Sequence, residues 1–330
     1  MKKRNYVLGQ IKECVKTLVY HLKISLYALA FVMNISLISG SIFDFLKPAL
    51  EKGANHKMRN IDFIYMINLD KRPEKFLATQ LSLRRYGIYP YRFSAVNGWE
   101  LSKEVFQNVG LKLKEGMTPL LSTTYYSIDG KMIQSHEYMD NPSKSYFCHC
   151  MAPGPIGCAL SHISILKDAF ESNYEVIWVL EDDVEIIRNP HILSDYINKL
   201  NLTFGKNGWD ILFTDYDGRK NEVEYNVCDG LAKRPDMDCS SNFRRGHFSK
   251  KKKINEYFRE MPARYGTYSM IISRSGIKKM LDFFYNHKIY LPIDMDNCYV
   301  ETIKRYGVLE NIVSHKLDAL SDNAAPFYEK

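Results

Sequence analysis

The stretch EVIWVLEDD at residues 175–183 decides the fold class of this chain. Its five consecutive apolar residues are typical of a strand buried on both faces, and the three acids after them end that strand abruptly. Residues 61–68 (IDFIYMIN) predict a second strand, residues 73–86 a helix and residues 91–96 a third strand. This order of elements predicts an α/β fold with a mostly parallel sheet flanked by helices.

The rest of the chain continues the pattern with two interruptions. Apolar runs predict strands at 209–213 and 268–273, and helical periodicity predicts helices at 156–171 and 275–286. The segments near 112–152 and 218–262 have no clear periodicity, so we expect loop insertions there. Residues 61–330 are therefore expected to form one α/β domain.

Composition and charge exclude several classes of protein. The 330 residues are 45% hydrophobic, which is typical of a folded chain rather than a disordered one. The net charge of +7 comes entirely from residues 1–60, which hold ten basic and three acidic side chains. Because residues 61–330 are electrically balanced, we do not expect a nucleic-acid partner, although residues 244–253 are locally basic.

The N-terminal region predicts membrane association. Residues 24–43 contain no charge, and twenty helical residues span about the ~30 Å thickness of the hydrocarbon layer. The basic flank at 1–23 predicts a single anchor with a cytoplasmic N-terminus, while a cleaved signal segment is the alternative. A linker at 44–60 follows, and the domain is expected either on the cytoplasmic face or in the lumen of the ER or Golgi.

The acids at the end of the EVIWVL strand are the first candidate site. In an open α/β sheet, ligands bind at the carboxyl ends of the strands. The neighbouring carboxylates of Asp182 and Asp183 repel unless a cation lies between them, and their hard oxygens suit Mn²⁺ or Mg²⁺. Glu181 is a candidate third metal ligand, although acids at a helix start would explain one member of the cluster.

Other aspartates are candidates for a general base. Three Asp-x-Asp pairs occur, at Asp215/Asp217, Asp236/Asp238 and Asp294/Asp296. The first pair ends a predicted strand, so we expect it to face the same crevice, and the last lies in a predicted loop after a helix. Either pair could supply a general base, and spacing alone does not choose between them. The pair at 236 and 238 lies in an irregular polar stretch and is a weaker candidate.

The segment GCALSH at 157–162 opens a predicted helix. Free amides at a helix start favour anions, which makes Gly157 a candidate for contact with a phosphate. Cys158 and His162 share a helix face, and zinc binding together with Cys148 and Cys150 is an alternative that the spacing disfavours. His162 alone fits a structural role as well as a catalytic one.

Seven short sequence blocks occur in order along the chain: INLDKR at 67–72, AVNG at 95–98, GCALSH at 157–162, VLEDDV at 179–184, RYGTY at 264–268, PID at 292–294 and SD at 321–322. Taken together, these blocks resemble glycosyltransferase family 25, which includes lipopolysaccharide-biosynthesis glycosyltransferases and procollagen galactosyltransferases. The resemblance extends over roughly residues 61–325.

The resemblance implies a nucleotide-diphosphosugar transferase fold of the GT-A type and transfer with inversion. It implies that Asp182 and Asp183 reach the metal and the donor diphosphate, and that Asn68 and Arg72 lie near the nucleotide. Asp294 is implied, less directly, as the acceptor-side carboxylate. The acceptor itself does not carry over, because segments such as 112–152 usually shape that side.

Three functions remain in competition at this point. The first is transfer of a hexose, galactose or glucose, from a UDP-sugar to a glycan, lipooligosaccharide or protein acceptor with Mn²⁺ or Mg²⁺. The second is a catalytically inactive, membrane-tethered module that binds glycans or proteins. The third, a carboxylate–metal hydrolase, is disfavoured because no histidine adjoins Asp182 and Asp183 in the sequence.

Overall fold

A computed structural model describes residues 41–228, 232–237 and 251–329. All the strands and α-helices described below lie in one compact unit, Phe45–Lys330. The predicted basic flank and nearly all of the predicted anchor at 24–43 lie outside the described residues. Within the described ranges, no helix has both the length and the apolar character needed to cross a bilayer.

Thirteen strands and six α-helices are described. The strands are β1 (Phe63–Asn68), β2 (Tyr91–Ser94), β3 (Leu111–Lys112), β4 (Leu121–Ile128), β5 (Lys131–Tyr138), β6 (Ser145–Cys148), β7 (Val176–Glu181), β8 (Val184–Ile186), β9 (Ile211–Phe213), β10 (Phe258–Glu260), β11 (Ser269–Ser273), β12 (Arg305–Val308) and β13 (Val313–His315). The helices are α1 (Pro73–Arg84), α2 (Lys103–Val109), α3 (Pro153–Glu171), α4 (Ile192–Phe204), α5 (Arg274–His287) and α6 (Ile293–Asp296). Short 3-10 turns lie at Ile42–Phe45, Gly98–Glu100, Asn297–Tyr299 and Phe327–Glu329.

The main sheet has seven strands in the order β10-β12-β9-β11-β7-β1-β2. Strands β7, β1 and β2 run parallel, as predicted, and β12 runs parallel to β9. Strand β11 runs antiparallel to both β7 and β9, and β10 is antiparallel to β12. The prediction of an α/β fold with a mostly parallel sheet and flanking helices is confirmed, because β2, β1, β7, β9 and β12 run in one direction and β11 and β10 run opposite to them.

Helices cover both faces of this sheet because its strands are apolar on both sides. On one face, Ile64 of β1 and Trp178 of β7 belong to a buried cluster that includes Leu83 of α1 and Leu200 of α4. On the other face, α3 packs against α5 and β1. Because both faces of the sheet are covered, polar side chains that contact a ligand are expected at the ends of the strands.

The segment expected as a loop insertion near 112–152 contains regular structure. Strands β3, β6, β4 and β5 form a separate antiparallel sheet, and β4 and β5 pair from Leu121↔Tyr138 to Ile128↔Lys131. Thr and Tyr, which occur in β4, are good strand formers. The alternation of apolar and polar residues that marks a half-buried strand is missing in β4, because four consecutive residues there are buried. The expectation of an irregular segment was therefore wrong for these residues.

Candidate active site

The ends of β1 and β7 bring two predicted site residues together. These strands are parallel neighbours, with Ile67 opposite Glu181, so Asn68 and Asp182 leave the sheet at the same edge. Asn68 Nδ2 donates to Asp182 Oδ2 at 2.6 Å and to the Arg72 carbonyl at 2.7 Å. The turn after β1 is thereby joined to the acidic end of β7.

Burial and the neighbouring charge of Glu181 raise the pKa values of both Asp182 and Asp183. Burial raises the pKa of Asp182 to about 6, against the opposing effects of the Asn68 hydrogen bond and the Lys75 charge. Burial, followed by the charges of Glu181 and Asp182, raises the pKa of Asp183 to about 7. Near neutrality Asp183 is therefore partly protonated and Asp182 is largely ionised, and a bound divalent cation would favour the ionised form of both.

Asp182 and Asp183 face an open cleft of about 600 Å³. Its walls also carry three cations, Arg72, Lys75 and Lys316. A smaller pocket of about 90 Å³ adjoins the same two acids. Acids beside a set of cations can hold a metal ion on one side and the oxygens of a diphosphate on the other.

Arg72 is fixed at the rim of this cleft by the C-terminal segment. Its Nη1 lies 2.9 and 2.7 Å from the two carboxylate oxygens of Asp322. The Asp322 carbonyl accepts from Trp99 Nε1 at 2.9 Å, and Lys75 Nζ donates to the Leu320 carbonyl at 2.6 Å. The end of the chain thus forms one wall of the site.

Glu181, predicted as a third metal ligand, is held by other partners. Its Oε1 accepts from Thr267 Oγ1 at 2.8 Å and lies 3.2 Å from His162 Nε2. Burial raises the pKa of Glu181, but the contacts with His162 and Thr267 outweigh it and the net pKa is lowered. Helix α3 thus places a histidine beside the acids at the end of β7. This contact was not apparent from the sequence.

The structure changes the set of residues that could bind zinc. Donor atoms of Cys158, His162 and Glu181 lie within 4.8 Å of one another. Cys148 and Cys150 do not join this cluster among the described residues, so the four-ligand set considered from sequence is not assembled. The structural interpretation of His162 agrees with its burial and its contact with Glu181.

Asp294 lies in the short helix α6 rather than in a loop. Its Oδ2 accepts from the Gly266 amide at 2.8 Å and its Oδ1 from the Met295 amide at 2.9 Å. Burial raises its pKa against these hydrogen bonds. Asp294 lines a small cavity next to Gly266 and Thr267. The turn at 266–267 links two acids, because the Gly266 amide binds Asp294 and the Thr267 hydroxyl binds Glu181.

The other candidate bases are neutralised inside the protein. Asp215 is fully buried and pairs with Arg264 Nη1 at 2.6 Å, and Asp217 pairs with Arg259 Nη2 at 3.1 Å. A base must reach the acceptor, and these carboxylates are already bound by arginines. The hypothesis that this pair faces the crevice was wrong.

The remaining acids of these pairs give a similar result. Asp296 is fully buried and forms an ion pair with Arg234. Asp236 contacts the same guanidinium at 3.0 Å and His287 Nδ1 at 2.9 Å. Asp238 lies outside the described residues. Among the described acids of these three pairs, Asp294 is therefore the one that forms no ion pair with an arginine or a lysine.

Gly157 has a packing role rather than the predicted role in binding phosphate. Helix α3 begins at Pro153, which places Gly157 in the second turn, beyond the free amides of the helix start. A Cβ at this position would lie 2.4 Å from the Gly98 nitrogen and 2.5 Å from the Val96 carbonyl oxygen. The glycine allows α3 to touch the 96–98 turn, and a side chain is excluded there.

Sequence reasoning missed several charged contributors to the cleft, among them Lys75, Lys316 and Asp318. Lys75 follows the INLDKR block by three residues, and its position in the first turn of α1 at the strand edge was a usable signal. Lys316 is distant from Asp183 in the chain, but its amide donates to the Asp183 carbonyl at 2.8 Å. Nothing local in the sequence indicates that contact.

Comparison with known proteins places these blocks in one family. Residues 61–297 match the sequence model of Glycosyltransferase family 25 (LPS biosynthesis protein). A "Glycosyltransferase 25 family member" of Aedes aegypti is 30% identical over 179 residues, covering 54% of this chain and 24% of the relative. One of Drosophila pseudoobscura pseudoobscura is 24% identical over 188 residues, covering 57% and 26%.

A human relative carries a different description. The Homo sapiens "Inactive glycosyltransferase 25 family member 3" is 26% identical over 172 residues, covering 52% of this chain and 24% of that protein. The matched part is about a quarter of the length of each of these relatives. Since the family model matches well over half of the chain and includes Asn68, Asp182, Asp183 and Asp294, the chain belongs to glycosyltransferase family 25.

Proposed function

We propose that this chain is a metal-assisted hexosyltransferase that moves galactose or glucose from a UDP-sugar to a glycan, lipooligosaccharide or protein acceptor with inversion. The observation that carries the proposal is the pair Asp182 and Asp183 at the end of β7, in a cleft that also presents Arg72, Lys75 and Lys316. A sheet of GT-A type would place the donor at this edge.

The donor set at this edge fits a hard divalent cation. Asp182 and Asp183 offer carboxylate oxygens, which suit Mn²⁺ or Mg²⁺, and burial together with the neighbouring charge of Glu181 makes their ionised forms costly without a cation. When bound, the metal would neutralise charge on the UDP leaving group. Glu181 is engaged by His162 and Thr267, so we assign the metal to the two aspartates.

The remaining residues divide into a donor side and an acceptor side. Asn68 orients Asp182, and Arg72 with Lys75 supplies positive charge beside the diphosphate position. Inversion requires a base for the acceptor hydroxyl, and Asp294 is our choice because its pKa is raised and no cation pairs with it among the described residues. Asp183 is the alternative base if the metal is held by Asp182.

Transfer by the purified protein tests the proposal. We expect release of UDP from UDP-galactose or UDP-glucose with Mn²⁺, loss of activity with a chelator, and loss in the Asp183→Asn variant. Glu222→Gln is the matched control, because Glu222 is an exposed acid on the wall of the same cleft. Unchanged turnover in Asp183→Asn would overturn the assignment of the site.

An inactive binding module is the second candidate, and the inactive human and mouse relatives favour testing it. Both aspartates and the open cleft are present here, which supports an active enzyme. Thermal melting with UDP and Mn²⁺ separates the two functions, since a module without a donor site gains no metal-dependent stability from UDP.

Membrane association through a single anchor at residues 24–43 belongs to the same proposal. Its support is the uncharged twenty-residue stretch behind a basic flank. Protease treatment of intact and opened membranes would test both parts. Release of the chain by a salt wash contradicts an anchor, and protection in sealed vesicles indicates the lumenal side rather than the cytoplasmic face.

A further inference from the structure

Cys148 and Cys150 lie on a tight turn at the end of β6. The Met151 amide donates to the Cys148 carbonyl at 2.9 Å, which closes the turn over residues 148–151. The two sulfur atoms, Cys148 Sγ and Cys150 Sγ, are 3.1 Å apart. A disulfide bond is about 2.05 Å long, so the sulfurs need to approach by roughly 1 Å to join.

The turn is held in place from both sides. The Cys148 amide donates to the Tyr290 carbonyl at 2.8 Å, and Tyr125 Oη donates to the Met151 carbonyl at 2.6 Å. These bonds involve the backbone and leave the two thiol groups free to rotate. The fixed backbone of the turn therefore holds the two cysteines close together, and rotation of their side chains can close the remaining gap between the sulfurs.

The two sulfurs differ in access and in acidity. Cys148 is buried, whereas Cys150 is exposed. The hydrogen bond from the Cys148 thiol is the largest cause that lowers the pKa of Cys150, to about 6, and the same contact together with burial raises the pKa of Cys148. Cys150 thus has the reactivity of an attacking thiolate, and Cys148 is placed to attack second.

We propose that Cys148 and Cys150 form a redox-active dithiol that is oxidised to an intramolecular disulfide by a low-molecular-weight disulfide. The Cys150 thiolate attacks one sulfur of the oxidant, forms a mixed disulfide and releases one thiolate. The Cys148 sulfur then attacks Cys150, gives up its proton to the second departing thiolate, and closes the protein disulfide. Two electrons pass from the protein sulfurs to the oxidant, which leaves as one thiolate, protonated afterwards by water, and one thiol.

Mass analysis of the full chain tests this modification without reference to transferase activity. The protein is treated with glutathione disulfide, quenched with acid, denatured, alkylated and digested with trypsin. The peptide at residues 145–167 contains three cysteines, Cys148, Cys150 and Cys158. We expect it to lose two of its three alkylations and two hydrogens, and to recover all three alkylations after reduction with dithiothreitol.

Cys158 is the internal control within the same peptide. Burial raises its pKa well above the ordinary value, so it should keep its thiol during oxidation and be alkylated after denaturation. The Cys158→Ser variant should still form the disulfide. A bond between Cys158 and either partner would overturn the assignment.

Single variants separate the two steps. Cys148→Ser should accumulate a stable glutathione adduct on Cys150, and Cys150→Ser should form neither the adduct nor the disulfide at this turn. The proposal is overturned if the wild-type chain keeps all three thiols, or carries a lasting glutathione adduct on Cys150 beside a free Cys148 thiol. The wild-type result stands by itself if a variant fails to fold.

Discussion

Asn68 Nδ2 lies 2.6 Å from Asp182 Oδ2, and this contact joins the ends of two parallel strands that are 114 positions apart in the chain. Asn68 is buried, and its side-chain oxygen also accepts from Arg92 Nε at 2.7 Å. The amide is therefore oriented by Arg92, and only its nitrogen can face Asp182. Because that hydrogen bond opposes the effect of burial on the Asp182 pKa, Asn68 helps to keep the carboxylate ionised.

Replacing this amide should weaken metal binding in a pH-dependent way. In Asn68→Ala, Asp182 loses a hydrogen bond that favours its charged form, so its pKa rises and protons compete better with the cation. We expect a smaller Mn²⁺-induced rise in melting temperature near pH 6 and nearly full recovery well above the new pKa. Isothermal titration at several pH values measures the same difference.

An exposed asparagine gives the control for that experiment. Asn286 on α5 donates to the Asp282 carbonyl of its own helix, so Asn286→Ala should leave Mn²⁺ binding unchanged. A loss of about 1–3 kcal/mol in unfolding free energy is expected for Asn68→Ala, because the buried Arg92 contact is left unmade. Equal Mn²⁺ binding by wild type and Asn68→Ala at every pH would contradict the role assigned to Asn68.

Metal-free protein should lose stability as the pH rises from about 4 to about 7 through the contribution of Asp182 and Asp183. Their folded pKa values, about 6 and about 7, lie above the ordinary value of 3.8. Over that range the folded state holds protons that the unfolded chain has released, so raising the pH favours unfolding. Urea unfolding with a chelator, compared between wild type and Asp183→Asn, isolates this contribution.

Added Mn²⁺ should reverse the trend. The cation binds the ionised carboxylates, so its stabilising effect should be small at acidic pH and grow as the pH passes through these two pKa values. Asp183→Asn should show little of this growth, whereas Glu222→Gln should behave like wild type. A Mn²⁺ effect that is the same at acidic and neutral pH would argue that the cation binds elsewhere.

The sequence predicted that Asn68 and Asp182 lie at the same edge of the sheet, because parallel strands end at one edge. That β1 and β7 are neighbours, so that the two side chains meet, came from the structure. The helices predicted at 73–86 and 275–286 were found at Pro73–Arg84 and Arg274–His287. Local periodicity was sufficient for these elements.

Partners brought by distant elements were not predictable in the same way. Glu181 looked like part of the metal cluster until α3 supplied His162 and the 266–267 turn supplied Thr267. Asp215 looked like a base at a strand end until Arg264, 49 positions later, neutralised it. A single sequence shows which side chains are ionisable but not which opposite charge the fold places against each of them.

The contact between Arg72 and Asp322 should couple the C-terminal segment to the rest of the site. Only 13% of the Arg72 side chain and 8% of the Asp322 side chain are exposed. Arg72 also contacts Glu74 at 2.6 Å and Asp322 also lies 3.6 Å from Lys75, so loss of either partner leaves a largely desolvated charge with one weaker or more exposed partner. Arg72→Met and Asp322→Leu should therefore each lower the unfolding free energy by roughly 1–3 kcal/mol. The double variant should lose less than the sum of the two, as a urea-unfolding cycle would show.

A second ion pair tests whether burial causes this effect. Arg188 and Glu310 approach to 3.0 Å, but 54% and 53% of their side chains are exposed. Removal of that pair should cost at most about 1 kcal/mol because water screens it. Additive losses at Arg72 and Asp322 would show that the two side chains do not act together.

Gly157→Ala should destabilise the fold without changing donor affinity in the protein that remains folded. The new Cβ would lie 2.4 Å from the backbone nitrogen of Gly98, and backbone atoms there cannot move independently of the turn. Gly218→Ala is the control, since the nearest atom to its Cβ would lie 3.5 Å away, an ordinary contact. A selective loss of UDP affinity at unchanged stability would instead restore the phosphate-binding interpretation.

Asp294→Asn should separate transfer to the acceptor from hydrolysis of the donor. Asparagine keeps the size of the side chain but cannot take a proton from the acceptor hydroxyl, so transfer should fall by roughly 10²–10⁴-fold. The donor edge is unchanged, so the KM for the donor should stay close to wild type, and so should slow UDP-sugar hydrolysis by water that attacks without help from Asp294. Asp282→Asn, an exposed acid on α5, is the control for loss of one negative charge.

The pH profile of the same variant decides between a base and a structural role for Asp294. Burial raises the pKa of this carboxyl, and a base works only when ionised, so wild-type transfer should increase as the pH rises through that raised pKa. The variant should lack this rising limb at saturating Mn²⁺. If transfer and hydrolysis fall together, or the rising limb persists in Asp294→Asn, the proton acceptor is another group, and Asp183 becomes the residue to test by the same pair of assays.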